Sequence, residues 1–218
     1  MATPLVWDAP ASKRLYETGV DHGVLWVKGN SGYGNPIAWN GLVQVSESPE
    51  GAEPTALYAD NIKYLNLMSA EEFKFSIEAY TYPDEFMVCD GTVEIGSTGA
   101  YKTQQTRKEF CFAYRTLVGS AAEQADPSDP AHYKIHIIFN ALASPTSSDY
   151  ATVNDSPEAM TFSWECTTTP EVSSTNGTTA HLVIDSVEAA NKLASFETRL
   201  YDADQTFPGF DGIISALT

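Results

Sequence analysis

Hydrophobic and polar residues alternate with a period of two along much of this 218-residue chain. That is the pattern of β-strands with one buried face. The clearest run is Phe73-Lys-Phe-Ser-Ile77-Glu-Ala-Tyr80, which sets Phe73, Phe75, Ile77 and Ala79 on one side. Phe110, Phe112, Tyr114, Thr116 and Val118 repeat it around Cys111, Ala113 and Arg115. Tyr133, Ile135, Ile137 and Phe139 form a third face, opposite His132, Lys134 and His136. The same reasoning predicts strands over 19–27, 41–47, 55–67, 160–169 and 180–185. Eight or so such runs, divided by turn-rich segments, predict a mainly β fold of sandwich or barrel type.

The dividers carry turn chemistry. Ser48-Pro-Glu-Gly51 predicts a type I turn between strands. Segments 28–40, 119–130 and 144–158 are longer, and loops of that length are usually functional or mobile. They are expected to touch something outside the domain. One helix stands out. Asp185-Ser-Val-Glu188 has the form of a capping box, and Ala189, Leu193, Phe196 and Leu200 then make one apolar stripe that should pack on the sheet. A shorter helix is predicted after Pro83, where Asp84 and Glu85 suit the positive end of the helix dipole.

Composition narrows the functional classes. Twelve basic and 29 acidic residues give a net charge of −17, and hydrophobic residues make up 43%. That much apolar material supports a packed core and excludes disorder. A sequence-independent nucleic-acid binder needs clustered Lys and Arg, and an acidic surface repels DNA and anionic lipid alike. The densest basic stretch is Lys102-Thr-Gln-Gln-Thr-Arg107-Lys108. The longest apolar run, Phe110-Cys-Phe-Ala-Tyr114, is far short of the roughly 20 residues that span a bilayer. No membrane association is expected. The first eight residues lack the charged and apolar regions of a secretory signal, which predicts synthesis in a cytosol. Cys89, Cys111 and Cys166 are isolated and define neither a disulfide framework nor a zinc spacing; Cys111 and Cys166 read as small buried hydrophobes.

No catalytic motif survives scrutiny. Gly29-Asn-Ser-Gly32-Tyr-Gly34 is followed by Asn35-Pro36, which blocks the helix a phosphate loop needs. No Gly-x-Ser-x-Gly elbow occurs. On a strand, His132 and His136 stand roughly 13 Å apart, too far to share one ion, and read as two surface histidines. His22 and His181 read as lone structural histidines. Asp202-Ala-Asp204-Gln-Thr206 begins like a calcium loop, but Phe207 stands where glycine is needed. Glu71-Glu72 and Asp84-Glu85 read as solvated pairs. The expectation is a protein that is not an enzyme, with no catalytic residue, cofactor or metal site.

Several stretches resemble the major tail protein family, the tail tube subunits of long, non-contractile-tailed bacteriophages. They begin at Trp39-Asn-Gly-Leu-Val43 and Glu53-Pro-Thr-Ala-Leu-Tyr58-Ala-Asp-Asn61-Ile-Lys-Tyr64. They continue through Ser76-Ile-Glu-Ala-Tyr-Thr-Tyr-Pro83, Gln105-Thr-Arg107-Lys-Glu-Phe110, Ala113-Tyr-Arg115-Thr and Tyr133-Lys-Ile-His136. Asn140-Ala-Leu-Ala, Val153-Asn-Asp-Ser-Pro157, Phe162-Ser-Trp164-Glu-Cys-Thr-Thr-Thr-Pro170 and the ending around Leu200-Tyr201 and Phe207-Pro208 follow in the same order. Segments 119–130 and 169–179 depart from the family pattern.

The resemblance implies a tail tube fold: one domain over 1–218, built from two packed β-sheets with a C-terminal helix alongside. It would carry an N-terminal arm over 1–14 and a C-terminal arm over 202–218. It further implies self-association into hexameric rings that stack into a hollow tube in the virion. The implied partners are the tape-measure protein, the tail terminator and distal tail or baseplate proteins, with double-stranded DNA passing through unbound during ejection. On this reading part of the −17 charge lines the lumen, the 102–108 segment meets an acidic neighbour, and loop 28–40 becomes ordered only when rings stack. The rival reading is an extracellular β-sandwich adhesin or carbohydrate-binding module with Trp7, Trp26, Trp39 and Trp164 as sugar platforms. The strand settings of Trp26 and Trp164 favour burial instead.

Overall fold

The computed structural model describes residues 10–152 and 159–218. Trp7, most of the 1–14 arm and the Val153–Pro157 stretch lie outside the described residues. The strands are β1 (Leu15–Gly29), β2 (Gly32–Tyr33), β3 (Ile37–Trp39), β4 (Leu42–Glu47), β5 (Glu50–Gly51), β6 (Pro54–Ala59), β7 (Ile62–Met68), β8 (Glu71–Glu72) and β9 (Lys74–Ala79). They continue with β10 (Val93–Glu94), β11 (Tyr101–Lys102), β12 (Phe110–Ser120), β13 (Tyr133–Ala143), β14 (Phe162–Thr168), β15 (Glu171–Ser173), β16 (Gly177–Thr179) and β17 (His181–Asp185). Among the described residues three α-helices join them: α1 (Met87–Asp90), α2 (Ala190–Tyr201) and α3 (Gly209–Leu217).

The main sheet is antiparallel and runs β2-β1-β12-β13-β14-β9-β4, with β3 added to β1 and β17 added to β13. It turns a corner within β13. Residues 134–138 pair with β17, whereas Ala141–Ala143 pair with β14. Between the two halves Asn140 takes a left-handed φ of 45°, and the pairing with β12 slips between Phe110 and Phe112. Such a bulge bends a strand, and asparagine tolerates that conformation better than most side chains. The sheet thereby folds back on itself as two packed layers.

The alternation in β12 and β13 therefore has a meaning the one-face reading missed: both faces are buried. Phe110, Phe112 and Tyr114 point between the layers, with Leu25, Trp39, Phe75, Ile77 and Trp164. Cys111, Ala113, Ile135, Ile137 and Phe139 point the other way, into a second core closed by Leu193, Phe196 and Leu200 of α2. The predicted apolar stripe of α2 is that contact. Asp185 accepts from the Val187 and Glu188 N–H groups, so the capping carboxylate works in the turn that leads into α2. The short helix after Pro83 also forms, as a 3₁₀ turn running into α1 and ending on Gly91 in the left-handed region.

Three expectations need correction. The 202–218 segment is no free arm: α3 buries Phe210 and Ile213 in the second core, and Glu171 caps it by accepting from the Phe210 N–H. Segment 28–40 is not an open loop in the single chain. It folds back on β1 through β2 and β3, and Trp39 donates from Nε1 to the Thr81 carbonyl from a buried position. A β-carbon on Gly23 would meet the Trp39 carbonyl oxygen at 2.7 Å, so this return is closely fitted. Finally, Ser48–Gly51 does not turn the chain. Ser48 N–H donates to Lys74, and Glu50 and Gly51 pair with Glu72 and Glu71, so the ladder continues outward.

Candidate functional site

That continuing ladder builds a long arm. β4 pairs with β9, β5 with β8 and β6 with β7, so 42–79 form one interrupted hairpin rather than separate strands. The run read as a single strand over 55–67 is its tip. Asp60 and Asn61 reverse the chain with φ of 53° and 65°, the two positive values that a tight hairpin turn requires. At about 3.3 Å per residue, the stretch from Glu47 to that turn reaches up to about 40 Å. The neck is tight. Gly51 has φ of 90°, and a β-carbon there would lie 2.3 Å from the Ala70 carbonyl oxygen. Lys74 reaches both Glu50, at 2.6 Å, and Glu72, at 3.9 Å, which relieves the like-charge pair facing each other in the ladder.

The arm's tip is apolar and bare. Leu57, Tyr58, Ile62, Tyr64, Leu65, Leu67 and Met68 are all exposed, from 38% for Leu65 to 72% for Tyr58. Every residue of β7 is exposed. A two-stranded ribbon with no layer behind it is marginal in water, and apolar surface on this scale marks an interaction site. By contrast, Trp26, Trp39 and Trp164 are 1%, 2% and 4% exposed, so none of these three offers a sugar platform.

At the arm's root lies a polar cluster that sequence spacing did not reveal. Glu47 ends β4 opposite Phe75, and so points between the layers. On β13 and β17, His136 and His181 are diagonal neighbours, because His136 pairs with Val183 and Ile138 with His181. His136 Nδ1 lies 3.2 Å from His181 Nε2. Glu47 Oε1 lies 3.4 Å from each of those nitrogens. Tyr114 donates its hydroxyl to the same oxygen at 2.5 Å. The bond to His136, with Tyr114's added, outweighs burial and holds the Glu47 carboxyl down at about 2. Burial lowers the pKa of His181.

His136 is thus not a surface histidine, being 8% exposed, and His181 is not a lone one. His132 is separate and half-buried, paired with Asp185 at 2.9 Å. His22 pairs with Asp21 at 3.0 Å. The Glu71-Glu72 pair lies in the neck of the arm. In the basic stretch, Lys108 is exposed, and half-buried Arg107 keeps a buried Nε with no hydrogen-bond partner among the described residues. All three cysteines are buried thiols, and burial pushes Cys89 and Cys111 up to about 12. No helix among the described residues is long and apolar enough to cross a membrane.

No protein-family model matches the chain, and no curated protein matches it. Among solved structures it is similar to a chain of the 6-fold symmetrised cryo-EM structure of the anti-feeding prophage baseplate. The TM-score is 0.37 at 10% identity, over 84% of this chain and 97% of that one.

Proposed function

We propose that the chain is a structural subunit of a phage tail tube, and that the bare apolar arm is the surface by which one copy engages the next. The observation that carries this reading is the arm itself: seven large apolar or aromatic side chains held in solvent on a ribbon with no layer behind it. A second copy of the chain is the occupant that fits. β4 and β17 end the two halves of the main sheet, each bonded there on one side only, and can continue into a neighbour's sheet. Ring closure then leaves no strand edge open. The ordered likeness of segments between Trp39 and Pro208 to the major tail protein family supports the finer version. In it, six copies make a ring and rings stack into a hollow virion tube around the tape-measure protein. The terminator and baseplate proteins close the ends, and DNA passes without specific binding.

On this proposal the subunit is not an enzyme, and its acidic surface serves the conduit. Sedimentation velocity over a wide concentration range tests it. Association that grows with concentration, and that Ile62→Lys with Leu65→Lys abolishes, supports arm-driven assembly. Equal behaviour of the two proteins contradicts it.

A further inference from the structure

We propose that Glu47, His136 and His181 form a binding site for a divalent transition-metal ion, zinc being the natural probe. The three ligand atoms, Glu47 Oε1, His136 Nδ1 and His181 Nε2, stand 3.2, 3.4 and 3.4 Å apart. A tetrahedral zinc ion with bonds of about 2.0–2.1 Å holds its ligand atoms about 3.3–3.4 Å apart, so the triangle has the size of one face of such a site. Two imidazoles and a carboxylate are donors that suit zinc and its first-row neighbours.

The surroundings fix the ligands in their binding forms. Thr116 donates its hydroxyl proton to Glu17 Oε1 at 2.6 Å. Thr116 Oγ1 lies 3.1 Å from His136 Nε2 and, with its own proton given to Glu17, accepts from it. With an ion bound, the ring proton of His136 therefore sits on Nε2, and Nδ1, which bonds Glu47 when no ion is present, becomes the lone pair that ligates. A carboxylate acting through a hydroxyl on the far nitrogen is the kind of outer-shell support that metal-bound histidines have. Lys134 holds Glu17 in turn, at 2.7 Å. Tyr114 donates to Glu47, which keeps that group an acceptor.

Stacking fixes the ring planes. His136 stacks on Tyr114, at 4.6 Å and 7°, and the His181 ring lies edge to edge beside it, near-parallel at 13° with centroids 5.3 Å apart. His181 stacks in turn on Phe73, at 4.7 Å and 24°. The site is reachable, because Glu47 is exposed and His181 lines an open pocket with Pro49, Glu71 and Phe73. Solvent can supply the fourth ligand. An ion here ties β4 to β13 and β17 at the root of the arm, and so sets the angle at which the arm leaves the body. That consequence rests on the assembly reading, while binding of the ion does not.

The test uses the full chain, freed of metal with a chelator and titrated with Zn²⁺ by calorimetry and with Co²⁺ by absorption. Expected are one ion per subunit, the intense visible bands of a tetrahedral Co²⁺ site and a raised Tm. His181→Phe keeps the aromatic stack but removes a ligand, and should weaken binding by about 100-fold or more. Glu47→Gln, at a more exposed position, should also weaken it, and serves if the histidine variant fails to fold. Glu17→Gln should reduce affinity about 10-fold or more while leaving stoichiometry at one. No binding to the parent chain at millimolar Zn²⁺ would overturn the proposal, as would unchanged affinity in His181→Phe or Glu47→Gln. Because binding is measured on the single subunit, its failure would leave the tube reading standing.

Discussion

Arg115 and Asp21 meet across β12 and β1 in a two-bond ion pair, Nε to Oδ1 at 2.7 Å and Nη2 to Oδ2 at 2.8 Å. The arginine side chain is 9% exposed, beneath α2, with Tyr133 5.2 Å from its guanidinium carbon. The pair sits where the β1 ladder slips, between Thr18 and Val24, and holds the two strands together through that irregularity. Asp21→Asn keeps the shape but leaves a buried cation under-compensated. It should cost about 1–3 kcal/mol in urea unfolding, less than a fully buried pair because Asp21 is partly solvated.

The same pair gives an acid dependence of known sign. Burial alone would raise the Asp21 carboxyl, but the Arg115 bonds outweigh it and hold the group below the ordinary range. A lowered folded pKa stabilises above the unfolded value, about 4, and that contribution is lost as pH falls through the folded one. Urea midpoints measured down a series of acid pH values should fall more steeply for the parent chain than for Asp21→Asn.

At the return of loop 28–40, Gly23 has no room for a side chain, with the Trp39 carbonyl oxygen at 2.7 Å and Leu42 Cδ1 at 2.8 Å from a built β-carbon. Gly23→Ala should destabilise by about 1–3 kcal/mol. Slow hydrogen exchange at Leu25 and Trp39 in the lone subunit should become faster in that variant. Equal protection in both would mean that this loop is not closely packed on β1.

α3 belongs to the core, so Phe210→Ala should cost about 3–5 kcal/mol, as for other buried phenylalanines. A true C-terminal arm would tolerate that change with no shift in Tm.

Charge should oppose assembly. Six copies at −17 each carry about −100 formal charges, and salt screens such repulsion over a Debye length of about 10 Å at 0.1 M. Light scattering at fixed protein concentration should therefore rise with added NaCl. A fall with salt would point to attraction between opposite charges as the driving force, as expected if Arg107 and Lys108 meet an acidic neighbour. Reversing both charges would then block association.

Much of the fold is legible along the chain because alternation reports burial directly. Phe75, Ile77 and Ala79 lie in the core as their spacing implies, and Leu193, Phe196 and Leu200 form the helix contact. What alternation does not carry is which strands become neighbours. His136 and His181 are 45 residues apart, and the β13–β17 ladder alone makes them neighbours. Glu47 joins them from the opposite layer. The arm was within reach: a 13-residue strand is longer than usual, and Asp60-Asn61 is turn chemistry in its middle. Its apolar residues look like core residues in sequence, since a side chain destined for another subunit obeys the same pattern as one destined for its own.

Negative-stain electron microscopy of the purified full chain at high concentration, beside Ile62→Lys with Leu65→Lys, tests the central claim most directly. Both positions are exposed, so the variant should fold with an unchanged Tm. The account predicts hollow rings or tubes from the parent chain and single subunits from the variant. Uniform single particles from both proteins at every concentration and salt, or tubes from both, would contradict it.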